Sequence, residues 1–356
     1  INADPLQCAF PMCWNFHIYK AHCNGPVIPT LGIMNSETKP RWRIASAVTL
    51  GVLYGLALRI GFGWAPEHRI FEIISVAFLV GCPFSVGAVA VAIGAAEDRV
   101  SIGRQIQISI ISISVFLVAT YVTFLEGLIC LVLAAPLFLV AAILGGLTAG
   151  YLHNLRYQSR STLSVFAILP ILIAPIEASI PHEPTEHSVT TSIQIDSPPE
   201  KVFRTLATVR DIREEELGFT FVHLIGLPKP LEAEMSCNGV GCTRTSRWEK
   251  DVWFQEVITE WKPSEAIRYR FIIPKGGIPR EALDQHVEIG GAYFQLIDGG
   301  YEVFSTSGGG TNLSLTTSFR NKSLMNRYGA FWGRLVLNDF HRSILRLLKN
   351  RAEHDA

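Results

Sequence analysis

The chain of 356 residues carries little charge and no excess of either sign, with 31 Lys and Arg residues against 31 Asp and Glu residues. It has no cluster of basic residues interleaved with aromatic ones, so nothing indicates a nucleic-acid-binding surface. It also lacks G-x-S-x-G, H-E-x-x-H and P-loop motifs, and Gly308-Gly309-Gly310 joins two predicted strands instead of opening a helix. These absences remove the function classes that such features define, and no cofactor is predicted.

Long apolar runs are what the first half of the chain has instead. They cover residues 44–64, 70–93, 106–125, 128–152 and 163–180, each near the length of about 20 residues that a helix needs to cross a bilayer. Charged residues fall almost wholly between the runs, and the runs show no polar stripe of the kind that a soluble helical bundle needs for its surface. The sequence predicts a membrane domain at residues 34–181 with about five transmembrane helices.

The first 33 residues have neither a helical nor an alternating pattern. Met34 begins a short basic leader that runs directly into the first apolar run, so we expect residues 1–33 to be a non-native or disordered extension and translation to start at Met34. This segment also holds Cys and His residues, which are zinc ligands, but their spacing matches no closed zinc site, and no metal site is predicted. The residues concerned are Cys8, Cys13, His17, His22 and Cys23.

Basic residues in the short loops predict the orientation in the membrane. If there are five crossings, one side carries Lys39, Arg41, Arg43, Arg99, Arg104, Arg156 and Arg160. The other side offers only Arg69, with Arg59 close enough to a helix end to reach the interface. The amino terminus is therefore predicted to be cytoplasmic, in a bacterial inner membrane, and the carboxy-terminal domain periplasmic or extracellular. Pro170, Pro175 and Glu177 interrupt the last run, and the domain would be cytoplasmic if that run did not cross.

Polar and small residues near the apolar runs have two interpretations. Glu126 at membrane depth would indicate a functional site, whereas its neighbour Gly127 favours an interfacial turn with the carboxylate in water. Pro83, Pro136 and Gly145-Gly146 are expected to kink helices or to allow close helix packing, since no inverted repeat supports a transport route.

After a linker at residues 182–187 the hydrophobic pattern changes to the period of two that is typical of strands. Strands are predicted at 188–195, 222–225, 232–237, 243–249, 253–262, 266–272, 286–297, 300–306 and 311–320, and helices at 201–208, 209–216 and 323–352. Asn238-Gly239 and Asp298-Gly299 are typical hairpin turns. This order predicts an α+β helix-grip domain at residues 188–353, in which a curved antiparallel sheet surrounds a long carboxy-terminal helix.

Three segments of this domain resemble the SRPBCC, or START-like, superfamily. They are Ile193-Gln-Ile-Asp-Ser-Pro-Pro-Glu-Lys-Val-Phe203, Gly239-Val-Gly-Cys-Thr-Arg244 with Phe254-Gln-Glu-Val-Ile-Thr-Glu-Trp261, and the last helix. The superfamily includes polyketide cyclase/dehydrase-like proteins, lipid-transfer domains and the major birch pollen allergen, and the whole arrangement resembles bacterial members with a multi-span amino-terminal region. The resemblance covers about half the chain, and it implies a cavity between sheet and helix that accepts a lipid, sterol, polyketide or other apolar molecule.

The candidate cavity residues come mainly from the last helix, where aromatic side chains and a carboxylate share one side. The full set is Glu256, His286, Phe294, Tyr328, Phe331, Trp332, Leu335 and Asp339. Glu256, His286, Asp339 and His341 could act as acid or base groups. Each also has a structural interpretation: the aromatic residues could form plain core, Glu256 could pair with Arg244 or Arg247, and His286 could be a hydrogen-bonded structural residue.

The favoured function is a membrane-tethered, non-catalytic binding domain whose partners are the lipid bilayer and a hydrophobic small molecule or lipid. A polyketide cyclase/dehydratase-like enzyme and a membrane-anchored protein-interaction or assembly factor are the alternatives. Catalytic-looking polar clusters in the cavity would favour the enzyme, and a filled core with an exposed apolar patch would favour the assembly factor. Cys237 and Cys242, on either side of a predicted hairpin turn, are expected to be reduced structural thiols, although an oxidising compartment would allow a disulfide.

Overall fold

The computed structural model describes residues 38–63, 74–94, 100–155, 161–181, 183–279, 282 and 293–354. The predictions for residues 1–33, for the start at Met34, for His286 and for the basic residues of three short loops lie outside the described residues.

The first described half of the chain is helical. It consists of α1 (Thr38–Gly63), a π-helical turn (Ala77–Gly81) that runs into α2 (Cys82–Gly94), α3 (Ile102–Val122), α4 (Leu128–Leu155) and α5 (Ser161–Ala178). Four of these described segments are long and apolar enough to cross a membrane, and α5 contains a shorter apolar stretch, Val165–Ala178. We call α1 to α5 the helical region. Its apolar helices confirm the predicted helical class, and the crossing by α5 remains a prediction.

Helices α2 and α4 pack closely because glycine occupies the contact positions. A Cβ atom built on Gly87 would lie 2.0 Å from the carbonyl oxygen of Ala142, and one on Gly145 would lie 1.9 Å from that of Phe84. Any larger side chain at either position would push the backbones apart, as in small-residue helix contacts of membrane proteins. The close packing predicted at Gly145 is confirmed.

The second half is an α+β domain, which we call the grip domain. Its elements are β1 (Thr185–Ile195), α6 (Pro199–Ala207), α7 (Glu214–Leu217), α8 (Phe221–Leu224), β2 (Pro230–Met235), β3 (Thr243–Trp248), β4 (Trp253–Lys262), β5 (Ala266–Ile272), β6 (Phe294–Ser305), β7 (Thr311–Asn321) and α9 (Asn326–His354). The described strands form one antiparallel sheet in the order β1-β7-β6-β5-β4-β3-β2. The sheet packs on α9, which confirms the predicted helix-grip class.

Three local predictions are wrong. Residues 222–225 form most of the short helix α8 instead of a strand, because the Asp339 carboxylate accepts a hydrogen bond from the Val222 amide at 3.0 Å and stabilises the first turn. The helix predicted at 209–216 is confined to α7, and Val209 instead bridges to Ala233.

The third correction concerns Asp298-Gly299, which does not form a turn between two strands. Both residues lie inside the continuous strand β6, next to a register shift between Leu296 and Asp298. The ring of Tyr269 on β5 covers Gly299, where a Cβ atom would lie 2.9 Å from Tyr269 Cε2. Glycine is therefore needed here for the close approach of a neighbouring side chain, not for a turn.

Cys237 and Cys242 are joined by a disulfide, which corrects the expectation of two reduced thiols. Their Cα atoms are 5.4 Å apart, within the range that a disulfide requires. Two glycines with positive φ, Gly239 and Gly241, shape the tight connection between β2 and β3 and bring the two cysteines together.

The apolar core of the grip domain surrounds the carboxy-terminal half of α9. Leu345, Leu347, Leu348 and Ala352 pack with α6 and with the inner face of the sheet. Most of the α9 residues around the cavity described below come from the amino-terminal half, and Ile344 and Leu347 extend its wall into the carboxy-terminal half.

Candidate ligand-binding site

A cavity of about 340 Å³ extends between the sheet, the amino-terminal half of α9 and the helical region. Most of the side chains around it are aliphatic or aromatic. The grip domain contributes, among others, Trp248, Phe254, Phe271, Phe294, Trp332 and Phe340. The helical region contributes, among others, Phe78, Phe116, Ile129, Leu133, Ala134 and Phe138. The size and character are those of a small-molecule site, and the lining comes from both halves of the chain.

On the grip side, the wall of the cavity contains the buried ion pair of Arg244 and Glu256. These residues face each other on β3 and β4, and Arg244 Nε lies 2.5 Å from Glu256 Oε2. The Arg244 guanidinium also donates to the Leu206 carbonyl at 2.9 Å. Two phenol rings cover it, with centroids at 5.1 Å for Tyr269 and 5.4 Å for Tyr301. Of the two partners expected for Glu256, Arg244 is the one that the structure shows, and Arg247 pairs with Glu232 instead.

Burial raises the pKa of both the Tyr269 and the Tyr301 hydroxyls above the usual range. Both phenols are therefore neutral at physiological pH. The Arg244 side of the cavity presents a compensated ion pair flanked by neutral hydroxyl groups.

A second ion pair lies on the side of the helical region. Arg59 near the end of α1 has its Nε atom 2.5 Å from Glu126 Oε1, and its Nη2 atom donates to the Leu125 carbonyl at 2.6 Å. The Arg59 and Glu126 side chains are only 5% and 10% exposed, so the prediction that the Glu126 carboxylate lies in water is wrong. The loop between α3 and α4 turns the carboxylate inward because Arg59 offers a partner at the same depth.

Helix α9 divides its predicted site residues between two faces. Tyr328 and Trp332 are four residues apart and line the cavity, and the Tyr328 hydroxyl donates to the Leu133 carbonyl of α4 at 2.5 Å. Phe331 and Leu335 lie on the outer side, 56% and 37% exposed, and neither is among the described residues around the cavity. The expected single aromatic face is therefore split, because Phe331 and Leu335 each follow a cavity residue by three positions and so lie about 60° around the helix from Tyr328 and Trp332, respectively.

Asp339 does not reach the cavity in the described structure, because it caps α8 through the Val222 amide. Phe294 does line the cavity and stacks on Phe319, with ring centroids 5.4 Å apart. Glu256, Phe294, Tyr328 and Trp332 are thus brought together around one space.

Asn321, at the end of β7, adds a neutral polar group to the wall of this space. Its side chain is buried, and its Nδ2 atom has no hydrogen-bond partner among the described residues. A buried amide donor without a partner is costly, so an acceptor atom on a ligand would satisfy it.

His341 lies behind the cavity wall and is completely buried. Its Nε2 atom is 2.9 Å from the Thr317 hydroxyl, and its Nδ1 atom is 3.3 Å from the Thr191 hydroxyl. Burial lowers the pKa of His341 to about 4. A neutral imidazole held between two hydroxyls is a structural bridge between β1, β7 and α9.

His341 makes stability depend on pH in a defined window. The folded pKa of about 4 lies below the ordinary value of 6.5, so the unfolded chain binds the proton more tightly and stability falls as the pH drops from 6.5 towards 4. The free energy of unfolding should decrease by about 2 kcal/mol between pH 7 and pH 5. Chemical denaturation of the full chain in detergent at these two pH values measures it.

The His341→Asn variant is the control for this prediction. It should be less stable at both pH values and should lose the part of the decrease that His341 contributes, since Asn does not titrate, whereas His187 and His223, whose pKa values burial also lowers, keep their part. Equal pH dependence in the variant and the natural chain would contradict the assignment.

Several residues around the cavity were not predicted from the sequence. They are Arg59, which the sequence analysis placed at the membrane interface, and Tyr269, Tyr301 and Asn321, which lie on strands whose inner face the sequence analysis did not assign. The alternating burial along β5 and β6 could have pointed Tyr269 and Tyr301 inward, but no local pattern joins Arg59 to the grip domain.

No family model and no curated protein matches this chain. Among solved structures, truncated norcoclaurine synthase from Thalictrum flavum is 9% identical, with a TM-score of 0.31, over 50% of this chain and 99% of that chain. Ara h 8.0201 is 13% identical, with a TM-score of 0.28, over 47% of this chain and 98% of that chain. The Aha1 dimer from Colwellia psychrerythraea is 15% identical, with a TM-score of 0.24, over 47% of this chain and 97% of that chain. The class of the domain rests on its own sheet order and closing helix.

Proposed function

We propose that the chain is a membrane-anchored, non-catalytic binding protein for a hydrophobic small molecule or lipid. The observation that carries the proposal is the apolar cavity, which has walls from the grip domain and from the helical region. A space shared in this way gives an apolar molecule in the bilayer a short route into the grip domain. Tethering also keeps the cavity beside its lipid source at high effective concentration.

The polar groups of the cavity favour binding over catalysis. Glu256 is more buried than Glu232, the other described carboxylate on the grip side of the wall, and Arg244 pairs with it at 2.5 Å. A general acid or base must exchange a proton with a substrate, which a carboxylate held by a buried guanidinium does poorly. A cyclase/dehydratase-like enzyme is therefore the second candidate, with the Tyr269 and Tyr301 hydroxyls beside the pair as its candidate acid or base groups. An interaction or assembly factor is favoured less, because the domain has an open cavity instead of a filled core.

We further propose that the grip domain lies outside the cytoplasm of a bacterial cell. The Cys237–Cys242 disulfide supports this location, because disulfides persist in oxidising compartments. The distribution of basic residues over the loops supports the same orientation.

Filling the cavity tests the proposal directly. Val336 on α9 lines the cavity and is partly buried, so Val336→Trp should occupy the space that a ligand needs. Native mass spectrometry of the full chain, purified from its own cells, should detect a co-purified apolar molecule in the natural chain and at least about tenfold less of it in the variant.

Leu335→Trp is the matched control, because Leu335 is the preceding residue of the same helix but points outward. This variant should retain the molecule at the natural level. Retention in Val336→Trp, with both variants folded by size-exclusion chromatography, would contradict binding in this cavity.

A further inference from the structure

The charged side chains around the cavity are held in ion pairs, which limits the charge that a ligand can carry. Arg244 pairs with Glu256 and Arg59 pairs with Glu126, both at 2.5 Å and with exposures of 10% or less. Each pair is internally neutral and is held by a further hydrogen bond to a backbone carbonyl. Neither pair offers a free charge to a ligand.

One more charged residue, Glu232 on β2, contributes to the wall. It lies 2.5 Å from Arg247 on β3, whose side chain is 61% exposed to solvent. These three pairs account for every charged side chain among the described residues around the cavity. Among the described residues, the wall therefore has no unpaired cation for an anionic head group and no unpaired carboxylate for a cationic one.

A charged ligand would have to bury its charge without a counter-charge, and this costs several kcal/mol. An uncharged oxygen, in contrast, has partners. Asn321 presents a buried amide donor that lacks a partner among the described residues, and the neutral Tyr269 and Tyr301 hydroxyls lie beside the grip-side pair. The walls match a molecule that is apolar apart from a hydroxyl or carbonyl group.

The volume of the cavity limits the size of the ligand. About 340 Å³ is at the lower end of the range of about 300–1,000 Å³ for small-molecule sites. Such a space suits one hydrocarbon chain or a compact ring system and is too small for a phospholipid with two acyl chains.

We infer that the ligand is an uncharged, single-chain or ring-shaped lipid with a hydroxyl or carbonyl group, and that the two compensated ion pairs reject charged amphiphiles. This inference rests on the proposed function, since it names the class of molecule that the same cavity binds.

Three radiolabelled probes with the same chain length test it. They are 1-hexadecanol, hexadecyl sulfate and hexadecyltrimethylammonium, measured by equilibrium binding to the full chain in lipid nanodiscs, with empty nanodiscs subtracted. Hexadecanol should bind, and each charged probe should bind at least about 100-fold more weakly, because an uncompensated buried charge costs more than 2.7 kcal/mol. Equal or tighter binding of a charged probe would overturn the inference but leave the proposed function standing. Binding of none of the three would contradict the proposed function itself.

Unbalancing the ion pairs provides the second arm of the experiment. Glu256→Gln leaves the Arg244 charge without its partner, so binding of hexadecyl sulfate should increase at least about tenfold over the natural chain. Glu126→Gln should also increase binding of hexadecyl sulfate, because it leaves the Arg59 charge without its partner. With two variants, the test does not depend on the folding of a single one. Glu260→Gln, on the same strand as Glu256 but in a partly exposed pair with Arg268, is the control and should leave all three affinities unchanged. If a folded Glu256→Gln or Glu126→Gln protein does not bind hexadecyl sulfate more tightly than the natural chain, charge balance is not the basis of selection. If neither variant folds, the comparison of the three probes decides.

Discussion

Replacing Arg244 with alanine should lower the free energy of unfolding by about 3 to 5 kcal/mol, among the largest effects of any single substitution in the grip domain. The variant leaves the Glu256 carboxylate buried and without its counter-charge. It also removes the hydrogen bond to the Leu206 carbonyl and the contacts with the rings of Tyr269 and Tyr301. Chemical denaturation of the full chain in detergent, followed by tryptophan fluorescence, gives the measurement.

Two comparisons separate the buried charge from a general effect of losing an arginine. Arg247→Ala breaks a pair on the same strand whose arginine is 61% exposed, so it should cost less than about 1 kcal/mol. The double variant Arg244→Met with Glu256→Leu removes both charges and should recover most of the loss, since apolar residues of similar volume can replace a buried pair. A loss below about 1 kcal/mol for Arg244→Ala would mean that water reaches the pair and that the grip side of the cavity is wet.

The period-two pattern located most of the sheet because alternation reports which face of a strand is buried. The predicted strands at 243–249, 253–262 and 266–272 agree closely with β3, β4 and β5. The failures have causes that lie far along the chain. Helix α8 begins at a carboxylate supplied by α9, and Gly299 stays inside β6 because Tyr269 of the neighbouring strand occupies the space of a side chain. Neither contact can be read from the hydrophobic pattern of the neighbouring residues, because each partner lies on another element.

The site was predictable only within single elements. Glu256 and Arg244 lie on adjacent strands joined by a short connection, so their pairing followed from strand register. On α9, the sequence identified Tyr328 and Trp332 but could not distinguish their face from that of Phe331 and Leu335, since large apolar residues occupy both. The contribution of the helical region, through Arg59 and Glu126, depends on how α1 packs beside the loop between α3 and α4, which no sequence period encodes.

The path of α5 determines on which side of the membrane this cavity opens. Near the start of α5, Phe166 packs with Ala149 of α4 and Ala88 of α2. Near its end, the Glu177 carboxylate accepts hydrogen bonds from the amides of Val76 and Ala77 at 2.7 and 2.8 Å, at the start of the second helical segment. Helix α5 therefore runs antiparallel to α2 along most of its length, although its apolar stretch is shorter than those of the other four helices.

A reporter fusion should give an all-or-none result if α5 crosses the membrane like α2. Alkaline phosphatase is active only outside the cytoplasm, so its fusion after Ala356 in a bacterial host should be active, and its fusion after Gly94, at the far end of α2, should be inactive. The physical reason is that an antiparallel α5 brings the chain back to the side where α2 begins, while the basic residues of the loops keep the other side in the cytoplasm. A cytoplasm-only reporter at the same two positions is the control and should give the opposite pattern. Equal phosphatase activity at both positions would mean that α5 does not cross, and the grip domain and its cavity would then face the cytoplasmic leaflet, where the Cys237–Cys242 disulfide would not be expected to persist.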